Sequence, residues 1–289
     1  MPRTNDEASP PPVTLTIAGF DPSGGAGLLA DVQTFAAFGC FPVGAITSLT
    51  FQNTAGVSGA AHQSAEAVRA QVLPLIADFP VAGVKTGMLP ARAVVEEVAR
   101  LLRETKLRTA TVVVDPVVRA TSGHDLIDAD ALAALKRELL PRARLVTPNI
   151  PEAELLTGLR VADEAGMRAA ARALRALGAR AVLIKGGHLA GDANDLLDDE
   201  GTVQMFRAPR IAVGATHGTG CTLAAAITAC LARGLSLPEA VSAAKRFVTA
   251  AIRHAPQLGH GARPLKHTTP VRFTATGILI EDEIERVES

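Results

Sequence analysis

The segment Thr216-His217-Gly218-Thr219-Gly220-Cys221-Thr222 stands directly before a strongly helical run, LAAAITACLA. Glycines ahead of a helix leave several amide N–H groups pointing outward, and the helix dipole adds partial positive charge. Such an end can hold the oxygens of a moving phosphoryl group, a reaction in which positioning and charge stabilisation carry most of the work. Cys221 falls in or beside the first turn, where a thiol's pKa tends to fall. A thiolate there can take the proton of an attacking hydroxyl. The competing reading is a small buried cysteine at a well-capped helix.

Two further segments suit a nucleotide. Thr147-Pro148-Asn149-Ile150-Pro151-Glu152 closes one apolar strand and opens a helix. Its Asn-to-Glu spacing lets the Glu152 carboxylate reach a magnesium ion, directly or through water. The same spacing makes a capping box, with Asn149 at the N-cap and Glu152 at N3, and both readings stand. Val182-Leu183-Ile184-Lys185-Gly186-Gly187-His188 ends a buried strand in a charged turn. Lys185 and His188 either face phosphates there or form a polar strand exit. Upstream, Gly19-Phe20-Asp21-Pro22-Ser23-Gly24-Gly25-Ala26-Gly27 is not a Walker A loop, because Gly25-Ala26 stand where Lys and Ser/Thr are required. Its glycines still allow a ligand close to the backbone, unless the turn is only a capped strand-to-helix connection. Asp31, one turn into the next helix, either returns toward the strand ends or is solvated. Gln52-Asn53-Thr54 follows an apolar strand and can offer amides to the edge of a heterocycle.

These residues need a scaffold that brings several strand ends together. From Val13 onward, short β-branched runs alternate with helical patterns. The runs 13–18, 42–49, 81–86, 109–115, 143–147 and 180–185 read as strands. The stretches 26–38, 64–78, 91–104, 128–139, 163–177, 218–233 and 237–255 read as helices, with Gly39, Gly178 and Gly234 as stop signals. Apolar strands separated by helices predict a mostly parallel sheet covered on both faces. Residues 1–12 read as a disordered leader, 13–265 as one domain and 266–289 as a peripheral tail.

The chain has 289 residues, and Lys plus Arg equals Asp plus Glu at 29 each. No basic face is advertised and Trp and Tyr are absent, which argues against a nucleic-acid partner. No apolar run approaches the roughly 20 residues that a membrane span needs. Cys40, Cys221 and Cys230 form neither a CxxC pair nor a disulfide framework, which suits a reducing cytoplasm.

In chain order, LTIAGFDPSGGAGLLADVQTF (15–35), ITSLTFQNTAGV (46–57), VKTGML (84–89), VVDPVV (113–118), TPNIPEAELLTG (147–158), VLIKGGH (182–188) and THGTGCTLAAAI (216–227) resemble the hydroxymethylpyrimidine/phosphomethylpyrimidine kinases of thiamine biosynthesis. The resemblance implies a ribokinase-like three-layer α/β/α sandwich. It also implies ATP and Mg2+, a small pyrimidine substrate and a homodimer. The reaction it implies is phosphorylation of 4-amino-5-hydroxymethyl-2-methylpyrimidine, then of its monophosphate. Gly19, Asp31, Gln52 and Met88 match pyrimidine contacts, with Val117 beside the ring. Asn149 and Glu152 match a magnesium and phosphate motif, while Lys185 and Thr216 fall on the nucleotide side. Gly218, Thr219, Gly220 and Cys221 match the anion hole, and Cys221 stands where most relatives of ribokinase carry an aspartate base. Phe20, Thr121 and Arg263 depart from the pattern. Phe20 predicts a tighter or more apolar ring pocket, Thr121 removes an expected phosphate-contacting lysine, and Arg263 either alters a nucleotide-side turn or adds a phosphate ligand. A pyridoxal or pyridoxine kinase and a non-catalytic sensor on the same fold are the alternatives.

Overall fold

The computed structural model describes residues 9–118, 127–189, 191–214, 216–274, 277–281 and 283. The expectation at Thr121 and most of the expected leader lie outside them. The chain opens with β1 (Val13–Phe20), α1 (Gly27–Ala37), the hairpin β2 (Phe41–Asn53) and β3 (Gly56–His62), then α2 (Ala65–Asp78). It continues through β4 (Val81–Thr86), α3 (Arg92–Glu104), β5 (Thr111–Val114) and α4 (Ala129–Ala134), the last prolonged by a wider turn over Leu135–Leu139. Next come β6 (Leu145–Val146), α5 (Ile150–Thr157), α6 (Glu164–Ala176), β7 (Ala181–Ile184), β8 (Asp195–Asp199) and β9 (Thr202–Phe206). The last elements are β10 (Thr216–His217), α7 (Thr219–Ala232), α8 (Leu237–Arg253), β11 (Arg263–Pro264), β12 (Val271–Thr274) and β13 (Gly277–Ile280).

Among the described residues, nine strands form one sheet in the order β3-β2-β1-β4-β5-β6-β7-β8-β9. The block from β2 to β7 is parallel, and β3, β8 and β9 join it antiparallel. Side chains alternate across a strand, and here that alternation splits the core in two. Val112, Val114, Val146, Val182 and Ile184 pack with α2 to α6, whereas Val113, Leu145, Ala181 and Leu183 pack with α1, α7 and α8. The result is the three-layer α/β/α sandwich that the strand–helix alternation predicts. Gly39, Gly178 and Gly234 take the left-handed conformation at φ 66°, 106° and 88°, as expected of residues that end helices.

The segment after residue 265 differs from a peripheral tail. β12 and β13 form a hairpin that buries Ile278 and Ile280 against α8. Phe273 lies 6.3 Å from Phe38 of α1, under the guanidinium of Arg233. Phe273, Ile278 and Ile280 pack this segment on the core, and Arg246 adds bonds to the Ile278 carbonyl and to Glu283.

Candidate active site

The parallel strands all point the same way, so the turns after β1, β4, β5, β6 and β7 meet at one edge of the sheet. Together with the start of α7 they enclose a cavity of about 1030 Å³. Gly218 caps α7 with φ 83°, and a Cβ there would come within 1.8 Å of the Gly25 carbonyl oxygen. The two glycine-rich turns therefore lie back to back, and only glycine allows it. Thr222 Oγ1 donates to the Gly218 carbonyl at 2.9 Å, and His267 Nε2 lies 2.9 Å from the same hydroxyl. Burial pushes His267 down to about 4, so a neutral imidazole braces the cap from the C-terminal segment.

Cys221 lines the cavity with Gly218, Thr219 and Gly220, but its thiol does not behave as its helix position predicts. Burial pushes its pKa up to about 11, and the pull of Lys85 and of the Gly27 amide does not offset this. The helix end is a local effect, and burial of the thiol together with the nearby Asp115 and Asp31 charges outweighs it.

Asp115 follows β5 and is almost fully buried. Lys185 Nζ donates to its Oδ1 at 2.9 Å, and Thr147 Oγ1 donates to the same atom at 3.1 Å. Burial opposes ionisation of Asp115, yet Lys185 and Lys85 hold it below the usual carboxylate range. Glu152 Oε2 lies 3.9 Å from Lys185 Nζ. Burial, reinforced by Asp115, raises Glu152 to about 7 despite Lys185. The capping box is present, with Glu152 N donating to Asn149 Oδ1 at 2.9 Å and Asn149 N to Glu152 Oε2 at 2.8 Å. Both residues still line the cavity, so capping orients the carboxylate rather than removing it from the site. A Cβ on Gly220 would stand 3.0 Å from Lys185 Nζ. The start of α7 thus closes directly over the Lys185–Asp115 pair.

Gly19, Gln52, Met88 and Val117 also line the wall of the cavity. Met88 packs so tightly on Gly19 that a Cβ there would meet its Cε at 2.8 Å. Its carbonyl is held by Thr47 Oγ1 at 2.6 Å. Asp21 Oδ1 accepts from Ser23 N at 2.8 Å and Ser23 Oγ at 2.7 Å. Its Oδ2 accepts from Ala26 N at 2.9 Å and His217 Nε2 at 3.1 Å. Although burial works against the charge, His217, Ser23 and the Gln52 amide hold Asp21 at about 2.

A model of the phosphomethylpyrimidine kinase family matches residues 21–266, most of the chain. The chain belongs to the phosphomethylpyrimidine kinase family. A hydroxymethylpyrimidine/phosphomethylpyrimidine kinase of Streptomyces coelicolor is 49% identical over 89% of this chain and 94% of its own length. The thiamine biosynthesis bifunctional protein ThiED of Geobacter sulfurreducens is 50% identical over 88% of this chain. The present chain spans about half of that longer relative, 51%. Among solved structures, an ADP complex of Bacillus subtilis pyridoxal kinase superposes with a TM-score of 0.81 at 36% identity, covering 89% of this chain and 98% of its own. The protein is a phosphotransferase with the fold of these kinases.

Of the residues that match the family's site, the cavity gathers all but Asp31. Thr216 also lines it, paired through β10 with Arg263 of β11, whereas Arg263 and Phe20 do not. Asp31 is fully buried behind the wall, where it accepts from Thr16 Oγ1 at 2.6 Å and Lys85 Nζ at 2.8 Å. Its expected ring contact is replaced by this internal ion pair, and Lys85 reaches the cavity instead. Sequence reasoning missed Lys85, Asp115, Asp21, Asp195 and Lys245. A lysine inside an apolar strand was a usable signal for the first, because a buried charge demands a partner. Asp195 receives Gly186 N at 3.0 Å and Lys245 Nζ at 2.5 Å. It ties the loop after Lys185 to α8, and no local pattern announces it.

Proposed function

We propose that this enzyme transfers the γ-phosphoryl group of ATP to the hydroxymethyl group of 4-amino-5-hydroxymethyl-2-methylpyrimidine, and then phosphorylates the monophosphate to the diphosphate, for thiamine diphosphate synthesis. The observation that carries this reading is one cavity lined by two unlike sets of groups. Gln52, Met88 and Val117 offer an apolar slot with one amide, and Lys185 with the start of α7 offers positive charge and backbone donors. A flat ring with a hydroxymethyl arm fills the first and directs its oxygen at the second. The amides from Gly218 to Cys221 then face the charge that develops on the moving phosphoryl group. Asn149, Lys185 and Thr216 lie on the nucleotide side. Cys221, protonated at neutral pH, shapes the hole and orients the hydroxyl rather than acting as a resting base. In a loose phosphoryl-transfer transition state, placement does most of the work.

Among the described residues no group of three or more His, Cys, Asp or Glu side chains is arranged as a metal cage. That suits Mg2+, which keeps several waters and is held by one or two carboxylates plus substrate phosphates. Glu152, with Asp115 beside it, would hold it directly or through water. The ion would supply charge neutralisation on the phosphates.

We further propose a homodimer, supported by Leu49 and Phe51, which expose 39% and 54% of their surface on one face of β2. A cytoplasmic location is supported by three free cysteines, and no described helix is long and apolar enough to cross a membrane. Pyridoxine phosphorylation is the second reading, favoured by the likeness to the Bacillus subtilis kinase. Comparing kcat/KM for the two ring alcohols decides between them, because discrimination lies in transition-state binding. The pyrimidine is expected to win by at least tenfold, and a tenfold preference for pyridoxine would overturn the substrate assignment.

A further inference from the structure

His267 belongs to the C-terminal segment, yet it reaches the first turn of α7. Both it and Thr222 are buried. Its Nε2 lies 2.9 Å from Thr222 Oγ1, which donates to the Gly218 carbonyl at 2.9 Å. Just upstream, Pro264 of β11 pairs with His217 of β10. The stretch 263–267 thus grips the chain on both sides of Gly218. That stretch is itself anchored, since Lys266 N donates to the Ala251 carbonyl of α8 at 3.2 Å and Thr269 Oγ1 donates to the Lys266 carbonyl at 2.7 Å.

The polarity of this chain of bonds follows from its hydrogens. A hydroxyl has one, and here it goes to the carbonyl, so the His267 contact is a hydrogen bond only with the ring N–H on Nε2. Burial pushes the imidazole down to about 4, so the ring carries a single proton at neutral pH. The Gly218 carbonyl also accepts from Thr222 N at 2.9 Å. That carbonyl and the N–H of Thr219 belong to one planar peptide and point in opposite directions. A carbonyl held toward α7 therefore turns the Thr219 amide out of the helix end, where Gly218, Thr219 and Gly220 line the cavity. Gly218, at φ 83°, has no side chain of its own to fix this peptide.

We propose that His267 is a positioning residue for phosphoryl transfer: through the Thr222 hydroxyl it fixes the Gly218 carbonyl, and with it the direction in which the Thr219 amide meets the moving phosphoryl group. This role rests on the proposed function of the α7 amides, and not on which ring alcohol is bound. Such donors act by standing in place before charge develops. A displacement of about 1 Å is enough to cost turnover.

The test uses the full-length enzyme with Mg-ATP and whichever of the aminopyrimidine alcohol and pyridoxine the wild type phosphorylates. His267→Leu removes the donor and is expected to lower kcat by about tenfold to 100-fold. KM for the alcohol and for ATP should stay within about threefold, since the binding contacts are left in place. His267→Gln carries an N–H donor near the place of Nε2 and should recover most of the loss. Thr222→Val keeps the shape, breaks the same chain of bonds and should match His267→Leu. The double variant should lose no more than either single one. Melting curves separate these effects from unfolding, since a purely structural His267 would lower the melting temperature and leave kcat of the folded fraction unchanged. That result, additive losses in the double variant, or no recovery in His267→Gln overturns the inference while the proposed function stands. Proton–nitrogen NMR of the wild type needs no variant: a ring proton on Nε2 is expected, and one on Nδ1 overturns the inference too. A wild type that phosphorylates neither alcohol overturns the proposed function, and the role of His267 falls with it.

Discussion

Two lysines at the same edge of the sheet each hold an aspartate within 3 Å, and the two pairs are built for different ends. Lys85 and Asp31 are both fully buried, 2.8 Å apart, with Thr16 on the same carboxylate oxygen. Asp31 is the carboxylate that Lys85 bonds, although Lys85 also helps to hold Asp115 ionised. Lys185 is 2.9 Å from Asp115 and 3.9 Å from Glu152, keeps 13% of its side chain exposed and faces the start of α7. One cation there meets two carboxylates, one of them raised to about 7. The first, closed pair is fully buried, and the second, open pair borders the cavity with another carboxylate beside it. On the proposed function, the contrast separates a pair that stiffens the wall from a pair that handles the substrate.

The largest expected effect tests the closed pair. Lys85→Met leaves the buried Asp31 without its cationic partner and should cost about 3–5 kcal/mol in denaturant unfolding. Adding Asp31→Leu should restore most of that stability, since an apolar pair of similar volume is often as stable as a buried ion pair. The double variant should also keep kcat within about tenfold. A double variant that is stable yet inactive would move Lys85 into the chemistry and erase the distinction.

Lys185→Met is the matching test of the open pair. It should lower kcat by about 100- to 1000-fold, the usual loss when one preorganised donor is removed from a transition state. Here a second change at Asp115 should not bring activity back. Recovery of turnover in Lys185→Met/Asp115→Leu would make the two pairs alike after all.

Glu152 gives a pH signature. Between its ordinary value of 4.5 and about 7, the folded protein keeps a proton that the unfolded chain has released. Glu152 should therefore make stability fall as pH rises across that window, by up to about 3 kcal/mol, against an opposing rise from His267, which burial holds at about 4. Glu152→Gln should remove the Glu152 contribution to the slope, which urea unfolding at both ends of the window measures. An unchanged slope in the variant would show that Glu152 titrates normally.

The smallest effect concerns the thiol. With Cys221 raised to about 11, Cys221→Ala should lower kcat by less than about 100-fold, below the typical range for loss of a general base. Nucleotide affinity should be unchanged. A larger loss, with a kcat profile that follows thiol ionisation, would restore the base that the helix position suggested.

The sequence made the parallel part of the fold legible, because strands buried on both faces read as unbroken apolar runs such as Thr111–Val114 and Ala181–Ile184. It hid the strands that follow other rules. β8 carries Asp195, Asp198 and Asp199, which belong in a strand only because Lys245, Arg175 and Arg144 meet them from elsewhere in the fold. β3 (GVSGAAH) is largely exposed and its small residues show no alternation. The site was legible where its groups sit in loops of restricted composition, as at Gly218 and at Asn149/Glu152. It was illegible where a partner is distant. Asp31 and Lys85 are 54 residues apart, and Asp21 and His217 are 196 apart. Only the fold creates those contacts, and they decide which carboxylate faces the ligand. Cys221 shows the same limit, since its helix position argues one way and its burial the other.

The most direct measurement is the mass of the product formed from Mg-ATP and 4-amino-5-hydroxymethyl-2-methylpyrimidine. The account predicts the monophosphate first and then the diphosphate, both dependent on the enzyme and on ATP. Unchanged pyrimidine beside phosphorylated pyridoxine, or no substrate-dependent ATP consumption with either ring, would contradict it.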